Sequence, residues 1–349
     1  MSRLLRMSVM TSAVHVNRPE ELAVALPYLL GYRPNDSVVV VVALRGRQVG
    51  VIQRLDLLPP GEHYPPQAFE VLCAVLAADG CDGALLAEFT DAGPTTHHTS
   101  DQVAVALEDG GIPVRASLVV RQGMWRSLTA GGGRTSFRPL PAAEDVPAVA
   151  TCVLLGVSPW PSRAAMADSV EPGPGSPRYE PVGSVVPEEF DESSGYAAWA
   201  CLLGVDGEQP PERLPPDIAR LVVVSAGRTG VRDSLLAWLC PEFLGGEGER
   251  SGLDDGVASL GIPPDLSTDE GQECARGMMH RMIRFARCLP EQDRAGLLVM
   301  VAACAWQQGQ GALARICADR ALSLDPGHSL ARLLGAVIAH GVKPSELRR

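Results

Sequence analysis

From Ser37 to Leu44 the chain reads Ser-Val-Val-Val-Val-Val-Ala-Leu. β-Branched side chains favour the pleated backbone, and a strand with no polar alternation keeps neither face in water. The run therefore specifies a central strand covered by a layer on each side. Flanking segments supply those layers and further strands. Pro19–Leu30 opens with proline and two glutamates and stops before Gly31, as a helix does. Arg45-Gly46-Arg47 is a hairpin turn returning Val49–Asp56 as a second strand. Pro66–Ala78 has helical periodicity, Gly83–Phe89 is a third strand, and Asp101–Glu108 is a second covering helix. Ile112–Arg121 and Met124–Leu128 form a closing hairpin around Gln122-Gly123. Helices between successive strands imply crossover connections. The expected fold is α/β over residues 10–140, a mixed, mostly parallel sheet with covering helices.

Residues 141–170 read as connecting helices, at Asp145–Gly156 and Ser162–Ser169. Residues 171–187 carry five prolines and three glycines, a composition for a linker or exposed loop. Residues 188–349 read as an all-α domain, with helices at Tyr196–Leu203 and Pro216–Leu239 and an acidic loop over 244–269. In the tail, 290–342, Ala302, Ala314, Ala318, Ala321 and Pro326 match the small-residue and proline positions of a tetratricopeptide unit. That spacing predicts helices over Ala295–Gln307, Ala312–Leu324 and Ser329–His340. It reads either as a docking groove or as an ordinary helical hairpin rich in alanine.

Charge and composition narrow the chemistry. The 349 residues carry a net charge of −11, and of 30 basic residues only Lys343 is lysine. No lysine is placed for a phosphate loop, a Schiff base or a kinase-type strand. The charge divides as −3 over residues 1–170, −13 over 171–270 and +5 over 271–349. An acidic middle and a basic tail point to a docking surface or to solvated faces of opposite sign. Overall acidity, without basic residues interleaved with aromatics, argues against nucleic acid. The longest apolar run, Ala295–Trp306, is too short for a membrane helix, and the first residues lack a signal-peptide core. The chain is therefore expected to be soluble and cytoplasmic, with no membrane partner. Three early methionines (Met1, Met7, Met10) leave the start open. Nine scattered cysteines with no CxxC spacing are expected to be core thiols.

Leu26-Pro27-Tyr28-Leu29-Leu30-Gly31-Tyr32-Arg33-Pro34-Asn35-Asp36-Ser37, followed by the valine strand and Arg54-Leu55-Asp56-Leu57, resembles the signature of the actinobacterial domain-of-unknown-function 4192 family. The likeness continues in Gly111-Ile112-Pro113-Val114-Arg115, Arg121-Gln122-Gly123-Met124-Trp125, Gly156 with Pro161-Ser162-Arg163, Val231-Arg232-Asp233, and Gly311 to His328. It implies the same α/β-plus-helical layout and an actinobacterial source, and brings no established activity. Family members often carry a Cys-Cys-Pro stretch after the tryptophan. Ser127–Arg134 has no cysteine here, so a metal or thiol role for that stretch does not transfer.

Candidate sites are few. Asp36 and Ser37 precede the valine strand, Arg54 and Asp56 share one side of the next strand, and Arg121 ends a later one. Either they converge as a polar pocket for an anionic ligand, or the first two form a turn and Arg54–Asp56 an ion pair. His97-His98 with Asp101 has a faint metal-ligand flavour, but adjacent histidines do not readily face one ion. Asp101 suits a helix N-cap or first turn. No metal or cofactor is expected, and no nucleophile elbow, zinc helix or dinucleotide loop is present. Arg281, Arg284 and Arg287, spaced by three, form a basic stripe. With Trp306 they are the candidate partner-binding residues, the alternative being a solvated face. The reading preferred from sequence is a non-enzymatic interaction or regulatory protein docking a protein partner through its C-terminal helices. The alternative is an enzyme binding a small anion at the sheet edge, with Arg54 and Arg121 as clamps and Asp56 as base.

Overall fold

In the computed structural model the valine run becomes β1 (Val38–Arg45), and its first six residues, Val38 to Ala43, are at most 1% exposed. The structure describes residues 18–34, 38–91, 97–128, 136–154, 156–173, 179–182, 191–205, 207, 209–241, 255–342 and 344. The chain forms two compact units, residues 2–163 and 164–349.

The first unit contains α1 (Pro19–Leu30), β1, β2 (Gln48–Asp56), α2 (Pro66–Ala78), β3 (Gly83–Phe89), α3 (His98–Asp109), β4 (Val114–Arg121), β5 (Met124–Ser127), β6 (Arg138–Pro139) and α4 (Pro147–Leu154). Their sheet order is β2-β1-β3-β4-β5-β6. The expectation of a mostly parallel sheet needs correction: β1 runs antiparallel to both β2 and β3, and among the described neighbouring strands only β3 and β4 are parallel. The tight hairpin at Gly46 (φ 63°) makes β2 an edge strand. The β2–α2–β3 connection must then pass over β1. The short edge strand β6, which had no sequence pattern of its own, extends the sheet beyond the expected last hairpin.

The two faces of β1 have different covers. Val38, Val40 and Val42 pack with Leu22 and Leu26 of α1 and with Val149 and Cys152 of α4. Val39, Val41 and Ala43 pack with Leu72 and Leu76 of α2 and with Val103 and Leu107 of α3. Alternation along the strand thus feeds two separate cores, as the unbroken run requires. Gly31 stops α1 in the left-handed conformation (φ 79°). Its carbonyl accepts from the Trp160 amide at 2.9 Å, and Arg33 donates back to Trp160 at 2.8 Å, which ties this corner down.

The second unit begins within α5 (Arg163–Asp168) and continues through α6 (Glu192–Leu203), α7 (Pro216–Gly227), α8 (Thr229–Leu239), α9 (Asp255–Ala258), α10 (Asp269–Ala286), α11 (Ala295–Gln307), α12 (Gly311–Leu324) and α13 (Ser329–Ala339). One long helix was expected over Pro216–Leu239. The chain breaks it at Arg228, whose extended ψ of 116° follows Gly227, and Thr229 starts a new helix. α11 is apolar on every side and 12 of its 13 residues are buried, which makes it the central helix of the unit. Ala302, Ala314, Ala318 and Ala321 are all fully buried where α11, α12 and α13 pack against one another. Among the described residues no helix is long and apolar enough to cross a membrane.

The described parts of the proline-rich segment are anchored rather than free. The Tyr179 ring lies 5.5 Å from that of Phe285, its hydroxyl donates to the Pro211 and Leu214 carbonyls, and Val182 donates to Asp293. Residues 174–178, 183–190 and 242–254, which hold the rest of that segment and most of the acidic loop, lie outside the described residues.

Candidate anion site at the carboxyl edge of the sheet

A strand reading Gly-Ala-Leu-Leu-Ala-Glu-Phe places one carboxylate in a wholly buried element, and that carboxylate needs partners. Glu88 is 1% exposed. Its Oε2 accepts from Ser100 Oγ at 2.5 Å, and its Oε1 lies 2.9 Å from His97 Nδ1. Both partners come from the start of α3, so the pair fastens that helix to the sheet. On the far side of the imidazole, Arg126 Nη2 of β5 lies 2.8 Å from His97 Nε2. A guanidinium only donates, so Nε2 must be the acceptor and Nδ1 carries the proton given to Glu88. Arg126 also stacks on Phe137, its Cζ 4.9 Å from the ring centroid. As arranged, His97 has no free lone pair with which to take a substrate proton, so the chain Ser100–Glu88–His97–Arg126 organises charge rather than transferring it.

This cluster lies at the carboxyl ends of β3 and β4, the only parallel neighbours among the described strands, where open α/β sheets commonly place their ligands. Arg121 is at the same end. Val119 pairs with both Glu88 and Arg126, and Arg121 pairs with Met124, so Arg121 and Arg126 occupy diagonal positions on one face of the β4–β5 hairpin. The Nε of Arg121 is buried without a partner, and among the described residues its side chain forms no hydrogen bond or ion pair. The turn beyond it is tight, with Gln122 at φ 49° and Gly123 at φ 74°.

The other expected ligand residues are placed differently. Arg54 and Asp56 do share a face of β2, as their spacing predicts, and form an ion pair at 2.7 Å. Arg54 pairs with Val40, on the α1–α4 side of the sheet, whereas Arg121 is on the α2–α3 side with β1 and β3 between them. The structure therefore does not bring Arg54 and Asp56 together with Arg121. Asp36 and Ser37 lie outside the described residues. His97 and His98 also separate. His98 turns away to Gln102, whose Nε2 lies 2.6 Å from His98 Nε2 and 2.8 Å from His63 Nδ1, while the two imidazoles pack edge to face. Asp101 sits in the first turn of α3. Among the described residues no three His, Cys, Asp or Glu side chains gather as a metal site.

In the helical unit the candidate partner-binding residues have partners within the unit, with Arg284 exposed and Arg281 and Arg287 partly buried. Arg281 donates to the carbonyls of Leu202, Cys201 and Gln209. Arg284 forms a two-pronged pair with Glu212, and Arg287 donates to the Glu171 carbonyl. Trp306 is buried and donates to the Val342 carbonyl at 3.2 Å. Each arginine finds backbone or carboxylate acceptors presented by segments far away in sequence, which spacing by three does not reveal.

Sequence reasoning missed Glu88, Ser100 and Arg126. The available signal was the lone acid in an otherwise apolar strand. Comparison with known proteins places the chain without assigning a role. No curated protein and no solved structure matches it. Residues 19–240 and 270–345 match the family described as a domain of unknown function, DUF4192, which is most of the chain. The protein therefore belongs to the DUF4192 family.

Proposed function

We propose that the α/β unit binds a small anionic ligand at the carboxyl edge of β3 and β4, with Arg121 as its principal contact and Arg126 beside it. The observation that carries this reading is the half-buried Arg121, whose Nε is shielded from water and unpartnered. A guanidinium left so is costly unless a counter-anion completes it. The His97–Glu88 pair supports the reading by holding Arg126 in place from below. The ligand class is a phosphate or carboxylate, since the planar fork of arginine matches both. A thermal-shift panel of inorganic phosphate, pyrophosphate, ATP and citrate tests it. At least one of these raises the melting temperature of the wild type, and Arg121→Ala abolishes the rise. The reading fails if none stabilises the protein, or if Arg121→Ala is stabilised equally.

A second reading, an interaction protein docking a partner through its C-terminal helices, has its own support. The alanine and proline spacing read in the tail sequence supports it, and Leu333 on α13 is 57% exposed. With Arg281, Arg284, Arg287 and Trp306 engaged within the unit, this reading moves the docking face to α13. Comparing the proteins co-purified with wild type and with Leu333→Glu tests it; identical sets reject it.

A further inference from the structure

The helical unit contains an open groove of about 670 Å³ between the end of α6, the end of α8, the Leu260–Ile262 turn and α10. Leu203, Val205, Trp238, Leu260 and Met278 make it apolar, and Ile262 at its rim is 94% exposed. Two features show that the groove is more than a packing gap.

The first is Gly277. It lies in the interior of the 18-residue helix α10, where glycine costs about 1 kcal/mol against alanine. A Cβ built there meets no atom within 4 Å, so the fold does not require the missing side chain. Its absence keeps the groove open.

The second is Arg281. It lies across Gly204, the left-handed cap of α6 (φ 80°), where an added Cβ would come within 3.0 Å of its Nε. Nε and Nη2 are spent on three carbonyls, which fixes the guanidinium and leaves Nη1 without a protein partner among the described residues. The neighbouring charges are neutralised: Arg284 by Glu212, while burial and Arg276 push the His280 imidazole down. Among the described residues Arg281 bonds no carboxylate. The groove thus presents apolar walls and one oriented positive charge.

We infer that this groove binds a small amphiphile bearing a single carboxylate, its chain along Trp238 and Met278 and its head group on Arg281. The volume lies within the roughly 300–1,000 Å³ of small-molecule sites. A stable protein interface, by contrast, buries about 800 Å² on each partner, more than one such groove supplies.

The test titrates decanoate into the full-length protein and follows Trp fluorescence and calorimetry, with decanol as the uncharged control. The wild type binds one equivalent saturably below about 1 mM, and decanol at least about tenfold more weakly. Gly277→Phe fills the groove and weakens decanoate at least about tenfold, while Gly277→Ala leaves it within about threefold. Circular dichroism and the melting temperature of each variant establish that it is folded. The inference is overturned by absence of saturable decanoate binding, by unchanged binding in folded Gly277→Phe, or by equal affinity for decanol. Binding of an acidic amphipathic decapeptide in place of decanoate also overturns it, in favour of a peptide groove.

Discussion

Arg294 and Glu171 form an ion pair at 2.8 Å in which the arginine side chain is 0% exposed and the glutamate about one-third exposed. Arg294 also donates to the Val170 carbonyl at 2.6 Å, and Arg320 pairs with the same carboxylate at 2.7 Å. One acid at the edge of the proline-rich segment therefore holds two guanidinium groups of the helical unit. Removing it leaves Arg294 buried without a counter-charge. Glu171→Gln is expected to destabilise the unit by about 3 kcal/mol, the lower end of the range for breaking a buried pair because this carboxylate is partly solvated. Urea denaturation followed by circular dichroism measures it, and a loss below 1 kcal/mol would show that water replaces the pair.

The same unit should lose stability in two stages on acidification. Burial lowers the pKa of His280, with Arg276 adding to it, and of His328, whose Nδ1 accepts from the Ala331 amide at the start of α13. A depressed histidine contributes stability above its ordinary value of 6.5 and loses it as pH falls from there through the folded value. Glu171 and Glu212 follow. Burial alone would raise them, but Arg294 with Arg320, and Arg284, outweigh it and hold both below the ordinary 4.5. Their contribution disappears as pH falls below that point. Melting temperature against pH should therefore decline first below about 6.5 and again below about 4.5. His328→Asn keeps a helix-capping acceptor and should flatten the first stage; an unchanged first stage assigns it elsewhere.

Much of this was written in local sequence. Pro19-Glu20-Glu21 and Gly31 bracket α1, which spans Pro19–Leu30 as expected. The valine run announces a doubly covered strand because burial on both faces leaves no room for polar residues. Arg54 and Asp56, two apart, meet on one face for the same periodic reason. What local pattern does not carry is register and strand order. Glu88 meets Arg126 through His97 only because β3, β4 and β5 lie side by side, and Arg54 is kept from Arg121 because β1 inserts between β2 and β3. Likewise, Arg281 has three carbonyl acceptors because α6 ends beside α10, which no helical spacing encodes. Periodicity fixes which residues face inward; tertiary pairing decides which of them meet.

Two glycines of one helix give opposite expectations. At Gly271, in the first turn of α10, an added Cβ would lie 2.0 Å from the Asp265 carbonyl oxygen and 2.5 Å from its carbon. That carbonyl is held by the amide and hydroxyl of Thr268, so it cannot give way cheaply. Gly271→Ala should cost about 2–3 kcal/mol. At Gly277 nothing lies within 4 Å, and Gly277→Ala should stabilise by about 0.5–1 kcal/mol through helix propensity. Thermal and chemical denaturation of the two variants read the difference directly. A shift of the same sign in both would show that the surroundings of the two positions are not what separates them.

The buried acid of β3 gives the sharpest test of the sheet-edge network. In Glu88→Gln the side chain keeps one oxygen acceptor and gains an amide donor, while Ser100 and His97 both still donate. Ser100 can rotate its hydroxyl toward another acceptor. His97 cannot simply move its proton to Nε2, because Arg126 donates there at 2.8 Å. With the amide oxygen on His97 and its nitrogen on Ser100, the serine oxygen accepts but its hydroxyl proton and the second amide hydrogen lose their acceptor, which leaves a buried group unsatisfied at about 1–3 kcal/mol. The neutral amide also holds His97 less firmly than the carboxylate did, so Arg126 is seated less firmly and the arginine pair proposed to hold an anion would loosen with it. Glu88→Gln should thus lower stability by about 2 kcal/mol and weaken any phosphate or carboxylate ligand by roughly tenfold. Combining it with Arg126→Gln, whose amide oxygen can accept from a proton on Nε2, should recover part of the stability but none of the binding. Recovery of both would show that Arg126 is a structural partner of His97 alone and takes no part in holding the ligand.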